Sequence, residues 1–353
     1  MQQVDSKDYT PPADSDLENI LNISFRKRSL VRQKSEDSAS DIGKIDGSHS
    51  APITFEYEEQ INSATDNAPF HLQHQTTNTT IVKLFSVEYS DGAFERHQLG
   101  DCLGMNKGSY ERVLPFVRQL GLIERLPDTR ETYQLTPWAR QLHRTWLADP
   151  GLLAEAIHLH LSTRHHTNRE MRASWAYATA TGLLWDRAPL IFEPGMRERL
   201  ATEVRVAGAA QYGLGLDRVA FSHNSVSGVM NWLGALVPPV VVSPGRAVRI
   251  ARRTACPVPA VWWATSELAR IGAAARYPGR APVADEEYRM NLARILFLEP
   301  ASAEPMLRVA SAEAPLHMGE PILAFDPSST EVRVARRLPI GTLPLDGEGV
   351  DPQ

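Results

Sequence analysis

The residues most capable of chemistry lie in the stretch GMNKGSYERVLPFVRQLGLIE, which begins at residue 104. They stand at the N-terminal end of a run in which apolar residues recur at regular intervals. Val113, Val117 and Leu120 recur on one helical face, which predicts a helix held against a core. Side chains that donate hydrogen bonds or carry positive charge gather at its open end: Asn106, Lys107, Ser109, Tyr110 and Arg112. A helix with a buried face and a polar first turn fits insertion into the major groove of DNA.

A second stretch, SVSGVMNWLGAL from Ser225, repeats this arrangement at an offset of 116 residues. Its serine and apolar positions align with those of the first stretch, from Ser109 to Leu120. The agreement predicts a duplicated unit. The second helix also opens on polar side chains that are expected to contact DNA: His223, Asn224, Ser225 and Ser227.

Each of the two helices leads into a predicted β-hairpin that carries arginines. Pro127-Asp128 and Ser243-Pro244-Gly245 are the turn signals between the paired strands. The first hairpin carries Arg125 and Arg130, and the second carries Arg246, Arg249, Arg252 and Arg253. We predict that these arginines contact DNA phosphates, which position a protein on the duplex. The alternative is that the arginines of the second hairpin pair with acidic groups elsewhere in the fold, such as those at 285–287.

Other reactive side chains do not form a recognisable centre. His158 and His160 point to different sides of a helix, and His158 and His165 lie about 10 Å apart, too far to share one ion. The two cysteines, Cys102 and Cys256, lack metal-binding spacing. No phosphate-binding loop, nucleophile elbow or paired-carboxylate motif occurs. We therefore expect a protein that is not an enzyme and that holds neither a metal nor a cofactor.

The order of elements around the first ladder defines the expected fold. Helical spacing at 81–85, at 99–103 and from about Gly108 is followed by the first hairpin. Three helices and a hairpin are the order of a winged helix. The predicted fold class is mainly α with short β-hairpins, built as tandem winged helix-turn-helix units.

VRIARR at 248–253 recurs as VRVARR at 332–337, so the sequence leaves open whether a further basic hairpin forms there.

The sequence divides into six predicted segments. The segments are a disordered polar N-terminal tail (1–75), a first winged-helix domain (76–135), a helical connector (136–195), a second winged-helix-like domain (196–280), a C-terminal region of helix and hairpin (281–340) and a flexible tail (341–353).

Charge and hydropathy narrow the class of partner. The chain has 353 residues and a net charge of -5, and residues 1–80 carry 13 acidic against 7 basic side chains. The remainder is nearly neutral, so a nucleic-acid surface must be a local patch. The basic island at 25–34 is either a solvated segment or an arm that touches phosphates. No apolar run approaches the roughly 20 residues that span a membrane, so we expect a cytoplasmic protein with no membrane partner.

The joint YQLTPWARQL and the stretch DPGLLAEAIHLHLSTRHHTN, after a helix ending LGLIE, carry a resemblance over residues 78–240. The chain resembles an uncharacterised bacterial family of winged-helix proteins encoded near DNA-modification and phage-defence genes. The resemblance implies double-stranded DNA binding, with protein partners from a defence or modification complex. The alternative is an adaptor whose winged helices dock proteins, which Glu111 and the helix-interior Pro115 favour, because one repels phosphate and the other kinks the helix. A homo-oligomer also stays open.

Overall fold

The computed structural model describes residues 70–86, 93–127, 129–243, 247–271, 280–282, 285–317, 320–326, 331–334 and 338–343. These residues fall within one compact unit, Ser63–Gln353. Eleven α-helices alternate with small antiparallel sheets of two or three strands in the described part of the chain. The predicted class, mainly α with short β-hairpins, is confirmed.

The first stretch contains three helices and three strands. Strand β3 lies between β1 and β2 and is antiparallel to both, so that Phe94 faces Tyr133 and Ile123 faces Leu135. The Thr77 hydroxyl caps the first helix, and Gly104 ends the second with a φ of 63°, which favours glycine. The elements are α1 (Asn78–Phe85), β1 (Ala93–Glu95), α2 (Arg96–Leu103), α3 (Lys107–Gln119), β2 (Ile123–Arg125) and β3 (Thr132–Leu135).

Two helices follow the first stretch: α4 (Pro137–Ala148) and α5 (Leu152–Thr163). Thr136 caps α4 and Pro137 occupies its first position, as the Thr-Pro pair predicts. Every side chain of α5 except His160 is buried, and α5 packs against α4 and against three later helices. A helix that is covered on all sides forms the centre of a core.

The second stretch repeats the order of the first. Strand β6 lies between β4 and β5, and Ile250 faces Leu190 on one side and Val241 on the other. The elements are α6 (Arg172–Arg187), β4 (Leu190–Phe192), α7 (Met196–Tyr212), α8 (His223–Ala235), β5 (Val241–Val242) and β6 (Val248–Ile250). Short 3₁₀ turns at Arg164–His166 and Leu216–Arg218 precede α6 and α8.

The third stretch contains the same order with one added hairpin. Asp285 caps α10, whose first turn carries Glu286 and Glu287. A 3₁₀ turn at Pro300–Ser302 leads into α11. The elements are α9 (Val258–Arg270), β7 (Arg280–Pro282), α10 (Glu286–Ile295), α11 (Ala303–Ala312), β8 (Leu316–His317), β9 (Glu320–Pro321), β10 (Leu323–Asp326) and β11 (Glu331–Val334).

One topology therefore occurs three times, and we refer to residues 78–135, 172–250 and 258–334 as the first, second and third units. In each, a helix precedes a strand, two helices follow, and a hairpin closes the unit. The last strand is always central in the sheet: β1-β3-β2, β4-β6-β5 and β7-β11-β10. The sequence echo between 248–250 and 332–334 falls on the central strands of the second and third sheets.

The ends of the described chain are packed where the sequence predicts tails. Phe70 and Leu72 are fully buried, and Phe70 contacts the rings of Trp175 and Tyr212. Near the other end, the Trp138 indole donates to the Ile340 carbonyl. A Cβ at Gly341 would lie 2.5 Å from Leu142 Cδ2, so that glycine allows close packing. The packed body thus extends over 70–75 and to 343, while 1–69 and 344–353 lie outside the described residues.

Candidate nucleic-acid interface

The first turn of α3 is capped by the side chain of Asn106. Asn106 accepts a hydrogen bond from the Ser109 N–H through its side-chain oxygen, at 3.0 Å. This bond satisfies a free amide of the first turn and fixes the angle at which α3 leaves Gly104. Asn106 and Lys107 are exposed, and Ser109 is half-buried. The cap accounts for Asn106 without any ligand, although the residue is exposed.

Tyr110 joins α2 to α3 rather than projecting from the surface. A Cβ at Gly100 would lie 2.5 Å from Tyr110 Cδ1, so the ring rests directly on the Gly100 backbone. This close approach of the two helices requires glycine on α2. Tyr110, which the sequence predicts as a DNA contact, therefore packs the two helices together and is half-buried.

Four of the cations that the sequence predicts as DNA contacts lie on the surface of the first unit. Lys107 and Arg112 are exposed on α3, and Arg125 and Arg130 are exposed on the hairpin. None of the four forms an ion pair with a residue in the described part of the chain. An unpaired surface cation loses little on meeting a phosphate, because no internal partner has to be released. Helix and hairpin of one unit thus both present free positive charge.

The corresponding helix of the second unit, α8, is partly covered by another segment of the chain. Ser225 is fully buried, and its hydroxyl oxygen accepts from the N–H groups of Leu72 and Ser222, at 3.4 Å each. The same oxygen lies 3.0 Å from His71 Nδ1. The prediction that Ser225 contacts DNA is therefore wrong, because its side chain binds a segment of its own chain.

That covering segment, Phe70–Gln75, runs along α8. Asn231 donates from its side-chain amide to the His74 carbonyl, at 2.9 Å. A Cβ at Gly228 would lie 3.5 Å from Leu72 Cβ and from His74 Cα, which shows how near the segment passes. Burial, and then the neighbouring His74, lowers the pKa of His71 below its usual range. On α8, His223 and Asn224 remain exposed, and Ser227 donates to the His223 carbonyl.

The three described arginines of the predicted second hairpin, Arg249, Arg252 and Arg253, differ in exposure. Arg249 is exposed, in register with Ile191 and Val242 on the outer face of the sheet. Arg252 is half-buried, with its guanidinium 4.7 Å from the Trp185 ring centroid. It donates to the Trp185 carbonyl and pairs with Glu299 at 3.3 Å. Arg246 lies outside the described residues.

Arg253 is buried, and the prediction that it contacts phosphate is wrong. Its side chain is 1% exposed and forms a two-pronged ion pair with Glu155, which is 0% exposed. It also donates to the carbonyls of Val237 and Leu296. A guanidinium with these partners is fully satisfied inside the core, where an unpaired charge would be costly. The alternative of an internal acidic partner is correct for Arg253, although the partner is Glu155 rather than the 285–287 run.

The third unit presents a different helix surface. Arg308 on α11 pairs with Glu304 on the same helix, at 2.8 Å, and its guanidinium lies 4.3 Å from the Phe325 ring centroid. Pro305 and Val309 are exposed beside it. Because its cation is engaged within the unit, α11 lacks the free positive charge of α3.

Of the histidines of α5, His158 is buried and His160 is half-buried, and both have partners within the chain. His158 bonds to the Tyr177 hydroxyl at 2.8 Å and to the Ile295 carbonyl at 2.9 Å, and His160 stacks on Trp138. Burial, followed by the nearby arginines, lowers the pKa of each to about 3. Within the described ranges, no group of three His, Cys, Asp or Glu side chains could hold a metal ion.

Two features of the site escaped the sequence prediction. Arg96, at the first position of α2, contacts acidic side chains from α3 and from the hairpin. No local pattern marks it. The internal role of Glu155 had a signal, since a single carboxylate stands in the otherwise apolar run LLAEAIHL and such a charge needs a buried partner.

Comparisons with known proteins add no relative. No family model, curated protein or solved structure matches the chain. None of the described helices has the length and apolar character needed to cross a membrane.

Proposed function

We propose that this chain is a non-enzymatic protein of three winged-helix units that binds double-stranded DNA through the first. The observation that carries the proposal is the set of four exposed cations, unpaired among the described residues, on the α3 start and the adjoining hairpin. In a winged helix these two elements face the duplex together, the helix at the major groove and the hairpin at the backbone or minor groove. The exposed positive charge of the first unit therefore lies where the proposed fold needs it.

The repeated topology supports the winged-helix interpretation of all three units. Each unit has the order helix, strand, helix, helix and hairpin, with the last strand central. Within the first unit, the close contact of Tyr110 with Gly100 holds α2 and α3 as a rigid pair. A rigid pair suits base reading, because a loosely held helix would lose conformational freedom on binding.

We assign different roles to the other two units. The segment Phe70–Gln75 covers α8, and the cation of α11 is bonded within its own unit. Both units then act as a scaffold around α5 rather than as base readers. The resemblance noted above extends the proposal to a cytoplasmic role in a bacterial defence or DNA-modification system.

The test is a salt titration of duplex binding by the full chain. Phosphate contacts release counterions, so log K should fall linearly with log salt concentration, by about 0.9 for each contact. The double variant Lys107→Ala, Arg112→Ala should bind every duplex more weakly and flatten this slope by up to about 1.8. Arg112→Ala alone should also relax sequence preference, since a lost base contact costs about 1–3 kcal/mol.

A matched control removes the same charge elsewhere. Arg197 and Arg199 are exposed on α7 of the second unit, and their double alanine variant should keep both affinity and slope. Equal losses in the two double variants would indicate a general charge effect and reject α3 as the binding element. Unchanged binding by a folded Lys107→Ala, Arg112→Ala protein would reject it as well.

One observation favours a second candidate, an adaptor that docks proteins. On the outer face of the second sheet, Ile191 is 64% and Val242 is 38% exposed, on either side of Arg249. An exposed apolar row around one cation is typical of a protein contact. The adaptor interpretation expects no duplex binding even at low salt, together with a stable protein complex that the Ile191→Asp variant disrupts.

A further inference from the structure

Arg96 lies where the three elements of the proposed DNA surface meet. It is the first residue of α2 and directly follows strand β1. Its backbone N–H donates to the carbonyl of Glu131, at 2.9 Å, just before strand β3 begins. The residue is thereby anchored to the hairpin through its backbone before its side chain makes any contact.

The guanidinium of Arg96 spans the gap between α3 and the hairpin. One terminal nitrogen lies 3.4 Å from Glu111 on α3, and the other lies 3.5 Å from Glu131 at the base of the hairpin. The third nitrogen, Nε, is buried without a hydrogen-bond partner in the described part of the chain. A guanidinium receives phosphate best through two free parallel N–H groups. Arg96 has both terminal groups directed at carboxylates and is not placed for such a contact.

The contact between Arg96 and Glu111 matters because of where Glu111 lies on α3. Glu111 stands immediately before Arg112 and four residues after Lys107, so that an uncompensated carboxylate would lie among the proposed phosphate contacts. Two opposite charges at this distance attract even near a protein surface, whereas a carboxylate and a phosphate repel each other. Arg96 neutralises the group that counts most against DNA binding by α3.

We propose that Arg96 is a positioning residue for the DNA surface of the first unit. It holds Glu111 toward α2 and away from the duplex, and it ties the hairpin to α3 through Glu131. This inference rests on the proposed function and names a residue that acts through others rather than by contacting DNA. The contacts are partly exposed, so their effect on overall stability is small. The effect lies in the geometry and charge that the duplex meets.

A positioning residue and a phosphate contact differ in their salt dependence. Removing a phosphate contact lowers affinity and reduces the slope of log K against log salt by about 0.9. Removing a positioning residue lowers affinity, but the number of released counterions stays the same. The two roles therefore separate in one titration series on the full chain.

The experiment compares Arg96→Ala, Glu111→Gln and the double variant with Lys107→Ala as the reference for a phosphate contact. Arg96→Ala should weaken duplex binding on the order of tenfold, the effect of about 1.4 kcal/mol, with an unchanged salt slope. Glu111→Gln in the Arg96→Ala background should restore most of the affinity, because the exposed carboxylate is gone. Arg96→Lys, which keeps the charge but not the two-pronged shape, should fall between wild type and Arg96→Ala.

Each contrary outcome has a distinct meaning. A slope reduced by about 0.9 in Arg96→Ala, with no rescue by Glu111→Gln, makes Arg96 a direct phosphate contact and overturns the inference. Unchanged affinity in Arg96→Ala, while Lys107→Ala weakens binding, also overturns it and leaves the proposed function intact. The absence of salt-dependent binding by the unaltered protein overturns the proposed function together with the inference. Melting curves verify that each variant is folded.

Discussion

The helices α3 and α8 occupy the same place in two units of the same topology, yet their aligned serines, Ser109 and Ser225, have different surroundings. Helix α3 opens on exposed Asn106 and Lys107, whereas α8 packs its third residue, Ser225, against the segment that precedes the first unit. Units that share a topology can therefore present different surfaces at the same position. The difference lies in what each helix touches outside its own unit.

The two hairpins differ in the same way. Arg125 and Arg130 of the first are exposed, while the second directs Arg252 against Trp185 and Arg253 into an ion pair with Glu155. Of the described arginines predicted as phosphate contacts in the second hairpin, only Arg249 is exposed. The number of arginines in a segment thus predicts a positively charged surface only after their internal partners are known.

The largest expected effect comes from removing the buried arginine of the second hairpin. Arg253→Met leaves Glu155 uncompensated in the core, which should cost about 3–5 kcal/mol of unfolding free energy. Arg249→Met, four residues earlier on strand β6, should leave stability unchanged because its side chain is exposed. Urea unfolding monitored by circular dichroism measures both.

The double variant Glu155→Leu, Arg253→Met is the control for that experiment. It removes both charges together and should recover part of the loss, since a buried pair can be replaced by apolar side chains at little net cost. A stable Arg253→Met protein would mean that water or another group compensates Glu155.

The aligned serines test the two helices directly. Ser225→Ala removes the acceptor of two backbone N–H groups and the partner of His71, and should cost about 1–3 kcal/mol. Ser109→Ala, at the matching position of α3, should change stability by less than about 0.5 kcal/mol. Thermal melting of the two proteins provides the measurement. Equal losses would contradict the assignment of α8 as covered and α3 as open.

Acid should lower the stability of the protein through the two histidines of α5. Because the pKa of His158 and of His160 is about 3 in the folded chain against 6.5 in the reference state, the unfolded chain binds more protons between these values. Stability should therefore fall as the pH drops below about 6.5, by at most about 1.4 kcal/mol per pH unit for each histidine. His160→Phe, which keeps a ring against Trp138, should reduce the slope. Unfolding curves at pH 7, 6 and 5 test this, and a slope unaffected by His160→Phe would exclude that residue as a source.

Local patterns were sufficient for most of the elements. The Thr136-Pro137 start of α4, the apolar ladder of α3 and the acidic start of α10 each depend on residues within a few positions of one another. Pro115 lies inside α3 without ending it, and its exposed position leaves the buried face intact. For the third unit the sequence predicts only a region of helix and hairpin at 281–340 and the VRVARR echo, because its first strand carries few local signals.

The sequence by itself determined where helices and hairpins form, because caps, turns and apolar periodicity act over a few residues. Only the tertiary structure decided which of the polar groups remain at the surface. Arg253 and Glu155 are 98 residues apart in the chain, and Leu72 and Ser225 are 153 apart. Nothing in the neighbourhood of either residue specifies such a partner. Burial of a charge or a hydroxyl requires that partner to be present, so the choice between a surface arginine and a core arginine is made by the packing of the whole chain.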